Sequence, residues 1–202
     1  MVGLQRPQPV VLTDEDGDTL SESNPAVSRL QNANGPSYSV FGTAYAGYAT
    51  PTDMMVLKGS ASKIVRVQAF QMWLTQTTGA VQTVNFIKRS AANSGGTSSQ
   101  PTINKTDSAD PAATAVLDLY SVIPASLGAG VTLVNQIAAV SATGQTPANF
   151  NIGVFLAASA VSFGRPITLR GVAESLAFNW GGAVLPAGWA ANYFAMWTES
   201  AN

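Results

Sequence analysis

Short runs rich in β-branched and aromatic residues, separated by clusters of Gly, Pro, Asn and Ser, recur along the chain from Tyr38 to Thr198. Such runs are typical of β-strands, and the clusters between them are typical of turns. Helical periodicity is scarce, since a helix over residues 115–121 would be followed closely by Pro124, and residues 135–142 carry no continuous apolar stripe. The sequence therefore predicts an all-β protein, an antiparallel β-sandwich of jelly-roll-like type. The expected strands are the runs at residues 38–45, 54–57, 63–74, 81–88, 115–122, 131–140, 150–156, 167–180 and 189–198.

The clearest strand pattern covers residues 63–74. Strict alternation would divide this run into two faces, and neither face is cleanly polar. A strand of that kind is expected at the centre of a sheet, or with its outer face covered. The first face would hold Ile64, Arg66, Gln68, Phe70, Met72 and Leu74, and the second Val65, Val67, Ala69, Gln71 and Trp73.

The first 36 residues differ in character from the rest. They hold five of the eleven acidic residues and several turn-prone sequences containing Pro, Gly and Asn, with too little apolar content to fold alone. We therefore expect residues 1–36 to form an extended N-terminal arm and residues 37–202 to form the β-sandwich domain. The five acids are Asp14, Glu15, Asp16, Asp18 and Glu22.

Composition excludes several classes of function. Charged residues make up 10% of the chain, against about 25% in an average protein, which favours a neutral surface or one covered by neighbouring chains. The formal net charge of −1 offers nothing to attract nucleic acid. Cys and His are both absent, so disulfides, thiolate metal sites and histidine bases are excluded. No apolar run is long enough for a membrane span or a signal peptide, so we expect no membrane partner.

A long polar gap separates Ile87 from Ala115, and the only large aliphatic residue inside it is Ile103. Loops longer than about 12 to 15 residues are usually functional or disordered. We interpret the gap as a long inter-strand surface loop that contacts a partner and is readily cleaved over residues 90–114 when uncovered. A phosphate cradle at Gly95-Gly96 is the weaker alternative, because Lys88 precedes the glycines and no helix is predicted after them.

The acidic residues do not form a recognisable catalytic or metal-binding motif. The run at residues 14–18 fails the calcium-loop pattern, because the sixth position is Thr19 and the twelfth is Pro25. Glu174 is expected to form an ion pair with Arg170 or Arg165. Without histidine or a Gly-x-Ser-x-Gly motif, no hydrolase is predicted, and no catalytic, cofactor-binding or metal-ligating residue is assigned and no cofactor is expected. The remaining acids of the body, Asp53, Asp107, Asp110, Asp118 and Glu199, are scattered along the sequence.

Two tryptophans, Trp180 and Trp189, flank the glycine-rich turn at residues 181–188. Burial in the core or at an interface is the ordinary role of such rings. A sugar-stacking platform is the alternative, which would make the chain a glycan-binding adhesin module. Loss of sugar binding on changing each ring to alanine would distinguish the two.

The order of several motifs resembles small structural proteins encoded by tailed bacteriophages and prophages. The resemblance lies in the sequences at residues 60–67, 86–98, 108–115, 124–128 and 167–180, and in the ending at 194–199. It implies a virion structural protein without a family-wide active site, assembled in the cytoplasm of the host bacterium. The sequence at residues 9–18 is similar to leaders that precede such domains.

From the resemblance and the composition together, we expect a capsid decoration or cement protein. It would bind the particle surface, through the major capsid protein or other virion proteins, by its arm and its sandwich. It would also bind copies of itself as a homo-oligomer, with a trimer as one expected form. The alternatives are a tail, baseplate or fibre-associated protein, or the adhesin module.

Overall fold

A computed structural model describes residues 35–45, 52–75, 78–140, 148–153, 161–162, 166–181 and 189–201. The chain divides between Asn34 and Gly35 into two units, and every described residue belongs to the second, Gly35–Asn202. Apart from Gly35 and Pro36, the expected arm therefore lies outside the described residues, and it stays a prediction.

The described part of the chain is all-β, as predicted, and contains no helix. Most of the strands match runs predicted from the sequence, and three very short ones lie between the predicted runs. The strands are β1 (Ser37–Tyr45), β2 (Asp53–Lys58), β3 (Lys63–Thr75), β4 (Ala80–Arg89), β5 (Thr97–Ser99), β6 (Asn104–Lys105), β7 (Val116–Val122), β8 (Gly130–Val140), β9 (Ala148–Gly153), β10 (Val161–Ser162), β11 (Ile167–Arg170), β12 (Ser175–Trp180) and β13 (Ala190–Ala201).

The strands form two sheets that pack on each other as a sandwich. The first sheet has seven strands in the order β10-β9-β3-β13-β1-β6, with β11 also pairing with β3. The second sheet has six strands in the order β5-β7-β2-β12-β4-β8. Neighbouring strands are antiparallel throughout both sheets, except for the short parallel pair of β9 and β10.

The core lies between the two sheets and is built around aromatic rings. Phe70 of the first sheet meets Phe86 of the second edge to face, with ring centroids 6.2 Å apart. Phe86 in turn meets Phe178 at 5.4 Å. All three rings are fully buried. Edge-to-face contacts of this kind stabilise a core beyond the area that the rings bury.

The long strand β3 is central in its sheet, as its sequence pattern predicts, but its side chains do not keep one alternation. The core contains Val65 and Val67 from one expected face and Phe70 and Met72 from the other. The cause is a β-bulge: Val67 pairs with Trp197 and Ala69 pairs with Met196, which leaves Gln68 as the extra residue. A bulge shifts the side-chain alternation by one residue, so the two faces expected from strict alternation were wrong.

The run at residues 167–180 was expected to be one strand, and this was also wrong. It forms two strands, β11 and β12, that lie in different sheets. The turn between them contains Gly171, whose φ of 68° lies in the left-handed region that favours glycine. Glu174 therefore lies in a connection between the sheets rather than inside a strand.

Candidate functional site

The most elaborate polar cluster in the described residues surrounds Asp53, which is completely buried at the start of β2. Arg89 forms a bidentate pair with it, donating from Nε to Oδ2 at 3.0 Å and from Nη2 to Oδ1 at 2.7 Å. Asn93 donates to Oδ2 at 2.9 Å and Asn179 to Oδ1 at 2.7 Å. The carboxylate thus accepts four hydrogen bonds and has a cationic partner, which is the arrangement that makes a buried charge tolerable.

We call residues Ser90 to Ala129 the polar segment. The same cluster forms hydrogen bonds with residues near both of its ends. Arg89 donates from Nη1 to the Gly128 carbonyl at 2.7 Å. The Gly128 amide donates to Oδ1 of Asn93 at 2.9 Å. A side chain at Gly128 does not fit, since its Cβ would lie 1.9 Å from the carbonyl oxygen of Ala91. The cluster therefore works as a structural lock that holds the two ends of the polar segment together.

A second lock surrounds Glu199, which is 3% exposed near the end of β13. The Thr114 amide donates to both of its carboxylate oxygens at 3.0 Å, and the Ala115 amide donates at 2.9 Å. Nε1 of Trp197 adds a further hydrogen bond at 3.1 Å. No lysine or arginine pairs with Glu199 among the contacts of the described chain. Main-chain and side-chain N–H groups satisfy the carboxylate in place of a cation.

Hydroxyl groups extend this second lock. The Thr114 hydroxyl lies 2.6 Å from Glu199 and 2.7 Å from the Ser60 hydroxyl. Because a carboxylate only accepts, the Thr114 proton is donated to Glu199 and the Ser60 proton to Thr114. Ser60 in turn accepts from the amides of Ser62 and Lys63 at 3.1 Å. The lock fastens the polar segment to the turn between β2 and β3 and to the last strand.

The geometry around Ser60 also bears on a catalytic motif that was not predicted from the sequence. Ser60 and Lys63 have the Ser-x-x-Lys spacing of some serine hydrolases. Here Ser60 is 1% exposed, and its oxygen accepts the main-chain amides of Ser62 and Lys63. A buried hydroxyl that caps a turn is not available to attack a substrate, so the motif is structural.

Residues 90–114 of the polar segment are predicted to form a long surface loop, and part of their backbone is instead incorporated in both sheets. Its strand β5 pairs with β7 in the second sheet, and β6 pairs with β1 in the first. Ile103, the single large aliphatic residue of the gap, packs against the core. Lys105 donates to the carbonyls of Ser108 at 2.8 Å and Asp110 at 2.7 Å. The segment thus bridges the two sheets along one side of the sandwich.

A shallow groove of about 280 Å³ lies along the polar segment. Its walls are mainly apolar, and its one cationic group, Lys105, is held by the two loop carbonyls. This set of side chains offers no acid–base pair. The lining residues are Gln100, Pro101, Ile103, Lys105, Ala112, Ala113 and Val116.

The glycine pair at Gly95-Gly96 forms a turn and not a phosphate cradle. Both residues have positive φ, 68° and 79°, and the short strand β5 follows them directly. A phosphate site of the kind considered above needs the N-terminus of a helix at this point. The turn interpretation of the sequence therefore agrees with the geometry.

Three further acids of the body, Asp107, Asp118 and Glu174, have ordinary structural partners, and Asp107 accepts from the Ala109 amide at 2.9 Å. Asp118 is buried, forms an ion pair with Lys58 and accepts from Gln100 at 3.1 Å. Glu174 pairs with Lys88 at 3.2 Å. Its contact with Arg170 is made to that residue's main-chain amide, at 2.7 Å, so the expected side-chain ion pair with Arg170 was wrong. Arg165 lies outside the described residues.

The two tryptophans proposed for sugar stacking pack on each other. Trp180 is fully buried and Trp189 is 8% exposed, with ring centroids 5.7 Å apart in an edge-to-face contact. Stacking on a sugar requires an exposed ring face, and this arrangement offers none. Residues 182–188 of the intervening turn lie outside the described residues.

The most distinctive exposed feature is apolar, and it lies at the edge of the second sheet. Val131 and Ile137 of β8 are 69% and 67% exposed, and Val81 on the neighbouring strand β4 is 62% exposed. We call β8 together with these three side chains the β8 edge. Other exposed large apolar side chains in the described residues are Phe41, Val122, Leu127 and Val172, and scattered side chains of this kind are normal on a protein surface.

Comparisons with protein-family models, with curated proteins and with solved structures found no match. Over the described ranges, no group of three or more acidic residues is placed to hold a metal ion. The same ranges hold no helix with the length and apolar character of a membrane span.

Proposed function

We propose that this chain is a structural protein of a bacteriophage particle, a capsid decoration or cement protein that acts as a homo-oligomer. The observation that carries the proposal is the way the body uses its polar groups. Its buried carboxylates, Asp53, Asp118 and Glu199, are all consumed in contacts that hold strands and the polar segment together. Such a body is suited to being a rigid building block.

The strand order supports the finer assignment of a jelly roll. If β5, β6 and β7, which lie within the polar segment, and the short strands β10 and β11 are set aside, the sheets read β9-β3-β13-β1 and β8-β4-β12-β2. Consecutive strands of these eight pass from one sheet to the other, except β4 and β8, which are neighbours in the second sheet. Eight strands wound in this order form the two Greek keys of a jelly roll. Viral capsid domains are among the proteins that use this architecture.

The surface supports a role in assembly. A chain with 10% charged residues has little charge to keep it apart from its neighbours. In an assembled particle, a neutral surface is covered by neighbouring subunits, and many copies of a weak contact add up through avidity. The resemblance to phage structural proteins and the expected arm at residues 1–36 support the same role. The particle, formed in the bacterial cytoplasm, would be the site of action.

Binding to capsids that lack the chain tests the proposal. The full-length protein is mixed with such capsids and with isolated tails, and each is sedimented. Saturable co-sedimentation with capsids supports the decoration role. Binding to tails alone would reject it and move the protein to the tail, baseplate or fibre. A glycan array run in parallel addresses the adhesin alternative.

A further inference from the structure

The free edge of β8 differs from the other sheet edges of this molecule. The first sheet ends in β10 and β6, which have two residues each, and the far side of the second sheet ends in β5, which has three. β8 has eleven residues, and among the described strands only β4 pairs with it. Soluble proteins commonly protect an edge by making the terminal strand very short. Three terminal strands follow that rule and β8 does not, although β6 covers only Tyr38 and Ser39 of the nine-residue strand β1.

β8 also lacks two of the other devices that protect an edge, charged residues and proline, although its pairing with β4 contains one irregularity, at which Leu133 is the extra residue. From Gly130 to Val140 it contains no charged residue and no proline. It instead exposes Val131 and Ile137, and Val81 of the adjacent strand lies on the same side of the sheet as Ile137. A long, neutral edge with exposed aliphatic side chains is a template for another strand.

We propose that the β8 edge binds the β8 edge of a second copy of this chain, antiparallel and about a two-fold axis. An antiparallel strand can pair with its own copy, and the contact is then the same on both subunits. Because β8 is uncharged, the pairing opposes no like charges. The two six-stranded sheets would join into one continuous sheet.

The partner's β8 fits this edge better than the expected arm does. Residues 1–12 of the arm include Pro7 and Pro9, which have no N–H to donate, and residues 14–18 are strongly acidic. Across residues 1–36, no stretch free of both proline and charged residues is longer than six residues, the longest being residues 30–35. The partner's β8 offers eleven positions without proline or charge, and its own exposed Val131 and Ile137 are covered in the same contact.

This inference specifies the homo-oligomer of the proposed function and rests on that part of it, but not on the capsid role. The experiment is the mass of the full-length chain in solution by light scattering. The parent is expected to have twice the chain mass of 20.9 kDa. Ile137→Lys places a lysine at the contact in both copies, so we expect at least a tenfold weaker association and the mass of one chain. Val172→Lys, at an exposed site outside the sheet, should keep the parent's mass.

Cross-linking locates the contact. Because the chain has no cysteine, Asn135→Cys gives a single thiol at the middle of β8, which faces its own copy when the two strands overlap fully. A short bis-maleimide should then link two chains, and Val172→Cys should give no such product. A urea titration checks that each variant is folded.

Several outcomes would overturn the inference. They are a monomeric or trimeric parent, a dimer that Ile137→Lys leaves intact, a dimer that Phe41→Lys on β1 dissociates instead, and a cross-link from position 135 to a peptide of residues 1–34. Capsid binding is measured separately, so it can succeed while this contact fails.

Discussion

Asp53 and Arg89 form a bidentate ion pair at the centre of a hydrogen-bonded cluster that reaches from β2 to Gly128. The two residues lie 36 positions apart in the chain, and both are almost completely buried. The pair joins strands of the second sheet to both ends of the polar segment. The conformation of the polar segment therefore depends on buried contacts with the second sheet.

Asp53→Asn should be among the most destabilising single changes in the body. It leaves the buried Arg89 guanidinium without its anionic partner, which costs about 3–5 kcal/mol of unfolding free energy. The matched control is Glu174→Gln, which breaks the partly exposed pair with Lys88 and should cost about 0–1 kcal/mol. Urea unfolding followed by tryptophan fluorescence measures both. Equal losses would show that the buried pair is not the lock described above.

Glu199→Gln tests the second lock. Glutamine keeps the shape of the side chain, but its NH₂ group is a hydrogen-bond donor. It would face N–H or O–H groups of Thr114 and Ala115 that now donate to the carboxylate. We expect a loss of about 1–3 kcal/mol, because a buried donor is left unsatisfied. Thr114→Val, which removes only the hydroxyl, should cost about 1 kcal/mol. A larger loss for Thr114→Val than for Glu199→Gln in urea titrations would contradict this ranking.

Trypsin reports on the polar segment, because Lys105 is the only lysine or arginine between Ser90 and Ala129. In the parent, Lys105 is paired in β6 and its ammonium group is held by two carbonyls, so cleavage there should be slow. Gly128→Ala forces Cβ against the Ala91 carbonyl and should open the segment to cleavage after Lys105. Gly171→Asn, at a turn with open space around it, should leave Lys105 protected.

Mass spectrometry of timed tryptic digests identifies the cut. Rapid cleavage of the parent after Lys105 would contradict the expected protection. It would support the exposed surface loop that the sequence predicts. Early cleavage after Arg29 is expected in every variant, because residues 1–36 are predicted to be an arm without a core. Persistent protection at Arg29 would reject that division of the chain.

Stability should fall at alkaline pH because of Tyr38. Its hydroxyl donates to the Pro111 carbonyl at 3.0 Å. Burial, with the negative charges of Glu199 and Asp110, raises the pKa of Tyr38 above 10.0. Above pH 10 the unfolded chain loses this proton before the folded chain does, so the stabilisation is complete below pH 10 and is lost as the pH rises further.

Tyr38→Phe isolates that contribution. The ring keeps its contact with Trp197, while the hydrogen bond, worth about 1 kcal/mol, is removed. Urea titrations from pH 7 to pH 11 should show a lower free energy of unfolding at pH 7 and a shallower decline above pH 10 than in the parent. Parallel curves for the two proteins would contradict the assignment.

Strands could be predicted from the sequence where the residue pattern of the strand itself is sufficient to identify it. The run at residues 63–74 identified β3 as a long central strand, because both its faces carry apolar side chains. The core-facing rows could not be read from that run, since the extra residue Gln68 is set by pairing with β13. The turn at Gly171 was missed for a related reason: residues 167–180 are β-rich on both sides of it, and only the sheet topology separates them.

The hydrogen-bonded clusters around Asp53 and Glu199 could not be predicted from the sequence. The partners of Asp53 lie 36, 40 and 126 residues away, and those of Glu199 lie 84 and 85 residues away in the polar segment. Local patterns carry no signal over such distances. Ile103 was the available clue, because a lone large aliphatic residue in a long polar gap is well explained by an anchor on a core.

The most direct test of the decoration role is the heat tolerance of capsids with and without this chain. Capsids that lack it are saturated with the full-length protein and heated, and the temperature at which they release DNA is recorded. The account predicts saturable binding and a higher release temperature for the decorated particles, with Asp53→Asn binding less because its body is less stable. An unchanged release temperature, or no binding to the capsid at all, would contradict it.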